Sequence, residues 1–283
     1  MLILQNQKLR VQILDPISDR QRLGSRYCTG GYIWQISDRI SGDLLSGPMF
    51  PDLFPTLFDG QGAPEVFETA LGQDTASINE NVLVIGVGEV LRSSPVQPFH
   101  VRDNPIVKEF CTWEIEQMEN SISMHTTHKY KKHSLQLSRI ISLNGRTVTS
   151  KSIITNRSEE PIPLRWFAHP FFPLCNDLVC TKFSIPFEIP ENPGYFLNKD
   201  GYLAMRKEYL WKKGLYCPLK IHAEGPMTIW QRHPLLSELE VKLFFPVSSM
   251  PVWANANTFS FEPYLDTTIA PDSKKQWSIG YRF

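Results

Sequence analysis

This chain of 283 residues has no excess charge of either sign: 29 lysines and arginines meet 29 aspartates and glutamates. With no net field to draw a polyanion, bulk nucleic-acid binding is not expected. Cysteine is scarce as well. The five, Cys28, Cys111, Cys175, Cys180 and Cys217, are odd in number and widely scattered, unlike a disulfide framework or a zinc knuckle. Reduced, mostly buried thiols follow. His169 with Cys175 and Cys180 fits no structural zinc spacing, so no metal is expected. The opening MLILQNQKLR holds only four consecutive apolar residues, against roughly 7–15 in a secretory leader and about 20 in a membrane span. That predicts a cytoplasmic protein with no membrane partner. Nothing in the sequence indicates an oligomeric state.

Helical periodicity is missing too. No stretch beyond about twelve residues keeps it without a Pro or Gly, so helices should be short and peripheral. Low-complexity segments and internal repeats are absent, and no domain boundary suggests itself. Residues 1–283 therefore read as one domain, a length that all-β units approach.

What is present is 42% hydrophobic residues, enough for a sizeable core, punctuated by 22 prolines and 16 glycines. Period-two alternation, the mark of a half-buried strand, recurs at Tyr32–Ile36, Val82–Val87, Ser121–Thr126, Val148–Thr155, Met227–Gln231, Glu238–Phe245 and Thr258–Phe261. It is clearest at the C-terminus, where Trp277, Ile279, Tyr281 and Phe283 share one face. Asn144-Gly145 between two such runs predicts a hairpin with a type I′ turn. Strands without alternating helices argue for antiparallel sheets and an all-β sandwich. The stretch Ser46–Gly62, with Phe50, Phe54, Leu57 and Phe58 between its prolines, reads as a loop packed over a sheet end, because those side chains are costly to leave in water.

Two segments carry candidate chemistry. In ITNRSEEPIPLRWFAHPFFPL, a strand ends at Asn156, turns, and restarts toward His169, which stands among Trp166, Phe167, Phe171 and Phe172. On composition alone such a histidine is a hydrogen-bonded core residue more often than a catalyst, although aromatic faces are also what sugar rings stack on. Near the C-terminus, Glu262 lies between Phe261 and Pro263 at the end of an apolar strand. Desolvation there raises a carboxylate toward the range of a general base. The basic run HKYKKH, residues 128 to 133, reads as the solvated end of a hairpin, with a phosphate-bearing sugar or polyanion as the other option.

Together these segments resemble the aldose 1-epimerase (galactose mutarotase-like) family. The His-Pro-Phe-Phe at 169–172 is similar to its acid-histidine segment, FSFEP at 259–263 to its base-glutamate segment, and GGYIWQISDRISGDLL at 30–45 to its early Gly-Gly strand. The resemblance spans roughly residues 28 to 283. It implies a large antiparallel β-supersandwich with its site in the concave face of one sheet. It also implies an isomerase that interconverts sugar anomers without a cofactor, with a small-molecule sugar, free or phosphorylated, as its partner. Glu262 would take the C1 hydroxyl proton while His169 gives one to the ring oxygen. The family's second histidine is missing: in VIGVGEVLRSS, Val87 precedes Gly88-Glu89. His100 and His125 are the candidate substitutes, Glu65 a candidate for the sugar pocket, and Arg92 and Arg165 candidates for a sugar-facing arginine. A non-catalytic carbohydrate-binding or sensing protein on the same scaffold is the alternative, favoured by Val87 as Glu262 and His169 favour the enzyme.

Overall fold

The computed structural model describes residues 1–221 and 225–283. Its largest element is a ten-stranded sheet. Reading across it, the first five strands are Glu114–Gln117, Ser121–Tyr130, His133–Asn144, Thr147–Asn156 and Lys274–Arg282, all paired antiparallel. Ser237–Leu243, Met227–His233, Val179–Phe183, Leu203–Met205 and Tyr195–Leu197 continue it with the same sense. Alternation becomes burial as the period-two pattern requires. Trp277, Ile279, Tyr281 and Phe283 all face inward. Two 3-10 turns, Arg20–Arg22 and Trp211–Lys213, are the helical elements among the described residues, and none there is long and apolar enough to cross a membrane.

A three-stranded sheet, in the order Tyr264–Ile269, Ile162–Ala168 and Glu65–Phe67, packs against the large one. The contact is aromatic: the Trp166 and Trp277 rings meet at 5.4 Å, and Phe67 meets Trp277 at 6.2 Å, both edge to face. A five-stranded sheet, Phe172–Pro173, Thr258–Phe261, Met250–Ala254, Leu215–Ile221 and Phe187–Glu188, continues the smaller layer. Its strand ends and those of the three-stranded sheet carry the site.

Three local expectations need correction. The long hairpin is present, but Asn144 pairs with Thr147, so the loop is Gly145-Arg146. Only Gly145 takes positive φ, at 58°; glycine at the first loop position is what a type II′ turn needs, not I′. In the 46–62 loop Phe54 and Leu57 stay exposed, at 64% and 47%, with the Arg22 guanidinium covering the Phe54 ring at 4.4 Å. The basic run does close a hairpin, with Tyr130 opposite His133, yet His128 is buried and its Nε2 accepts the Gly86 N–H at 3.0 Å. All five cysteines are free.

Candidate active site

His169 stands just past the Ile162–Ala168 strand, anchored where its N–H donates to the Pro64 carbonyl at 2.9 Å. Its ring is enclosed by aromatics. Phe171 lies at 4.4 Å, Phe167 at 6.0 Å, and Tyr27 and Trp253 at 6.4 Å each. Glu262 follows the Thr258–Phe261 strand directly, and its N–H donates to the Pro251 carbonyl at 2.9 Å. Trp253 pairs with Ser260 across the strands. Trp253, Ser260 and Glu262 thus share one face, because residues two apart on a strand point the same way.

These two segments, 93 positions apart in sequence, bring His169 Nε2 to 3.3 Å from Glu262 Oε1. Both side chains are almost wholly buried, at 4% and 7% exposure. Burial pushes the Glu262 carboxyl up to about 7, with Arg26 opposing and Glu68 adding to the rise. Burial, helped by the charge of Arg26, holds the His169 imidazolium well below the usual histidine range. Both shifts favour Glu262 over His169 as the seat of a proton held by the pair.

The pair opens into a cavity of about 520 Å³, within the usual span for small-molecule sites. Its walls are aromatic: Phe58, Phe167, Phe171, Tyr216, Trp253 and Tyr264. Arg26, Arg102, Lys213 and His100 also reach it. Arg26 and Arg102 both cover the Phe58 ring, at 4.2 and 4.7 Å from its centre. Neither arginine, nor Lys213, has a carboxylate partner among the described residues. Arg165 supports the wall from outside, bridging Glu68 at 2.5 Å and Asp266 at 2.8 Å while covering the Tyr264 ring.

Of the residues singled out in the sequence, His169, Glu262 and His100 line this cavity, and Glu65, Arg92 and His125 do not. Parity explains Glu65. On its strand Val66 pairs with Phe167 and faces the cavity, so Glu65, one residue earlier, points the other way. There it meets Arg139 Nη1 at 2.5 Å, and it accepts from Ser150 Oγ at 2.5 Å and Trp166 Nε1 at 3.0 Å. Arg92 is buried elsewhere, donating to the Gln73 and Ala76 carbonyls. His125 is exposed on the large sheet beside Ser138. Val87 packs in a separate apolar cluster with Val82, Val84, Val90 and Phe99 and does not line the cavity. The basic run at 128–133 is likewise absent from the lining. Sequence reasoning missed Arg26, Arg102, Lys213 and Glu68, which come from scattered loops and strand ends without a local pattern. Trp253 had a signal, its place opposite the glutamate's strand.

Among the described residues no three His, Cys, Asp or Glu side chains gather to hold a metal ion. No family model matches the chain, and no curated protein sequence matches it. Solved structures do. A galactose mutarotase related enzyme from Lactobacillus acidophilus superposes with a TM-score of 0.62 over 99% of this chain and 96% of that one, at 11% identity. A galactose mutarotase-like protein from Lactobacillus casei gives 0.58 over 100% and 99%, at 12% identity. An aldose epimerase homologue from C. elegans gives 0.52 over 99% and 97%, also at 12%. Such identities speak for fold alone, and on that ground the chain has the galactose mutarotase-like fold over nearly its whole length.

Proposed function

We propose that this cavity interconverts the α and β anomers of an aldose by acid–base ring opening. One observation carries the reading: a carboxyl raised to about 7 by burial lies 3.3 Å from an imidazole at an aromatic cavity. The hydroxyl oxygen on C1 and the ring oxygen share one carbon. An acid and a base serving both atoms within about 2.6–3.2 Å lie at most roughly 9 Å from each other, a limit this pair meets.

The steps balance as follows. The pair holds one proton, which passes across the short gap so that Glu262 is ionised and His169 protonated. Glu262 takes the C1 hydroxyl proton, the bond from C1 to the ring oxygen breaks, and the ring oxygen receives its bonding electrons together with the proton of His169. Rotation about C1–C2 presents the other face of the aldehyde. Ring closure reverses both transfers and restores the pair. No cofactor takes part. Arg26, Arg102 and Lys213, without carboxylate partners among the described residues, suit an aldose bearing an anionic substituent, such as a phosphate ester, held away from the reacting carbon.

Polarimetry on freshly dissolved α-glucose, α-galactose and glucose 6-phosphate tests the proposal. Mutarotation faster than in buffer supports it. Sugar binding without any acceleration would replace it with the carbohydrate-binding alternative.

A further inference from the structure

Ser260 is fully buried, and its Oγ lies 2.8 Å from His169 Nδ1. The same hydroxyl donates to the Phe261 carbonyl at 3.4 Å. Those two contacts bear on which ring nitrogen carries the fixed hydrogen, a choice set by whatever the other nitrogen's partner demands.

We infer that Ser260 is a positioning residue: its hydroxyl accepts a hydrogen bond from His169 Nδ1–H, fixing that hydrogen and leaving Nε2 as the atom that gains and loses the proton opposite Glu262. With its own hydrogen directed to the Phe261 carbonyl, the Ser260 oxygen is free to accept. The arrangement holds in both states of the pair. When Glu262 is protonated its hydroxyl donates to Nε2, and Nδ1–H donates to Ser260. When the proton has crossed, Nε2–H donates to the carboxylate and Nδ1–H still donates to Ser260. No hydrogen on Nδ1 has to move, and no buried polar atom of the three residues is left without a partner, which would cost about 1–3 kcal/mol. Ser260 and Glu262 lie two residues apart on one face, so a single strand end sets both neighbours of the imidazole. Serine suits the position because a hydroxyl both donates and accepts, as alanine cannot.

This rests on the proposed anomerisation for its consequence in rate, but the tautomer is observable without any activity. Nitrogen NMR of the intact protein at about pH 6 reads it directly. Wild type should show His169 neutral with the hydrogen on Nδ1, the form less favoured in free histidine. Ser260→Ala should move the ring toward the Nε2–H form and lower kcat about two- to tenfold at little changed KM. Ser260→Thr, which keeps the hydroxyl, should restore both. A wild-type ring with its hydrogen on Nε2, or a tautomer unchanged in a folded Ser260→Ala, would overturn the assignment. An Nδ1–H ring in a protein that accelerates no mutarotation would uphold Ser260's role and defeat the anomerisation reading alone.

Discussion

The guanidinium of Arg26 lies 4.2 Å from the centre of the Phe58 ring, and its Nη1 donates to the Phe58 carbonyl at 2.8 Å. So held, its charge acts on both His169 and Glu262, lowering the Glu262 carboxyl against the rise that burial causes and resisting a proton on His169.

Replacing Arg26 by Met therefore raises both groups. The working pair holds one proton, which it loses as pH rises through the Glu262 value near 7, so the basic limb of the rate profile moves to higher pH. An anionic aldose should also lose more kcat/KM than a neutral one, roughly tenfold or more if the charge-assisted contact is worth about 1.5–3 kcal/mol. A pH profile of kcat/KM for glucose and glucose 6-phosphate checks both points, and equal losses on the two sugars would count against Arg26 as an anion contact.

Glu262 should cost stability while supplying chemistry. Its carboxyl is raised from 4.5 to about 7 in the folded protein. Between those values the folded state binds more protons than the unfolded one, so this group's contribution to stability falls as pH rises through the window. Glu262→Gln removes the penalty. The variant should be more stable than wild type near pH 8, on the order of 3 kcal/mol as an upper bound, with the difference vanishing below about pH 4.5. Urea titrations at the two pH values provide the check, and anomerisation should fall roughly 10²-fold or more.

His128 runs the opposite way. Burial lowers its imidazole from 6.5 to about 4, and its bare Nε2 accepts the Gly86 N–H. Here the unfolded state binds more protons between those values. The stability it gives is complete above about pH 6.5 and is lost as pH falls toward 4. Over that interval it offsets Glu262 in part. His128→Gln should flatten the acid side of the stability curve, and an unchanged slope of urea midpoint against pH would refute the assignment.

The buried Glu65–Arg139 pair belongs to the interface between sheets. Both residues are at most 3% exposed, and Ser150 and Ser152 complete their hydrogen bonds. Removing one partner strands the other charge away from water, at about 3–5 kcal/mol. Arg139→Met should show that loss in urea unfolding while the folded fraction keeps its mutarotation rate at saturating sugar. A drop in kcat matching that of Glu262→Gln would instead return Glu65 to the site.

The layers were legible in the sequence because period two translates directly into faces: Trp277, Ile279 and Tyr281 needed no tertiary information. The segments that carry His169 and Glu262 stood out through their joint resemblance to a known family, since alone a strand-end glutamate reads as solvated and an aromatic-flanked histidine as a core residue. Glu65 was not, because its face depends on register, and one step in a three-residue strand exchanges cavity for core. Arg26, Arg102 and Lys213 left no trace, since an arginine or lysine in a loop reads as a solvated charge until the fold places it over Phe58 or at the cavity wall. Val87 packs in a small apolar cluster away from the cavity lining, a placement that its position in the sequence could not show.

The most direct test of the acid–base pair is exchange NMR of an aldose, free and 6-phosphorylated, with wild-type protein and folded Glu262→Gln side by side. Anomer exchange well above the buffer rate with wild type, reduced roughly 10²-fold or more in the variant, is the result expected. Exchange at the same enhanced rate in both proteins, or no enhancement on either sugar, would contradict it.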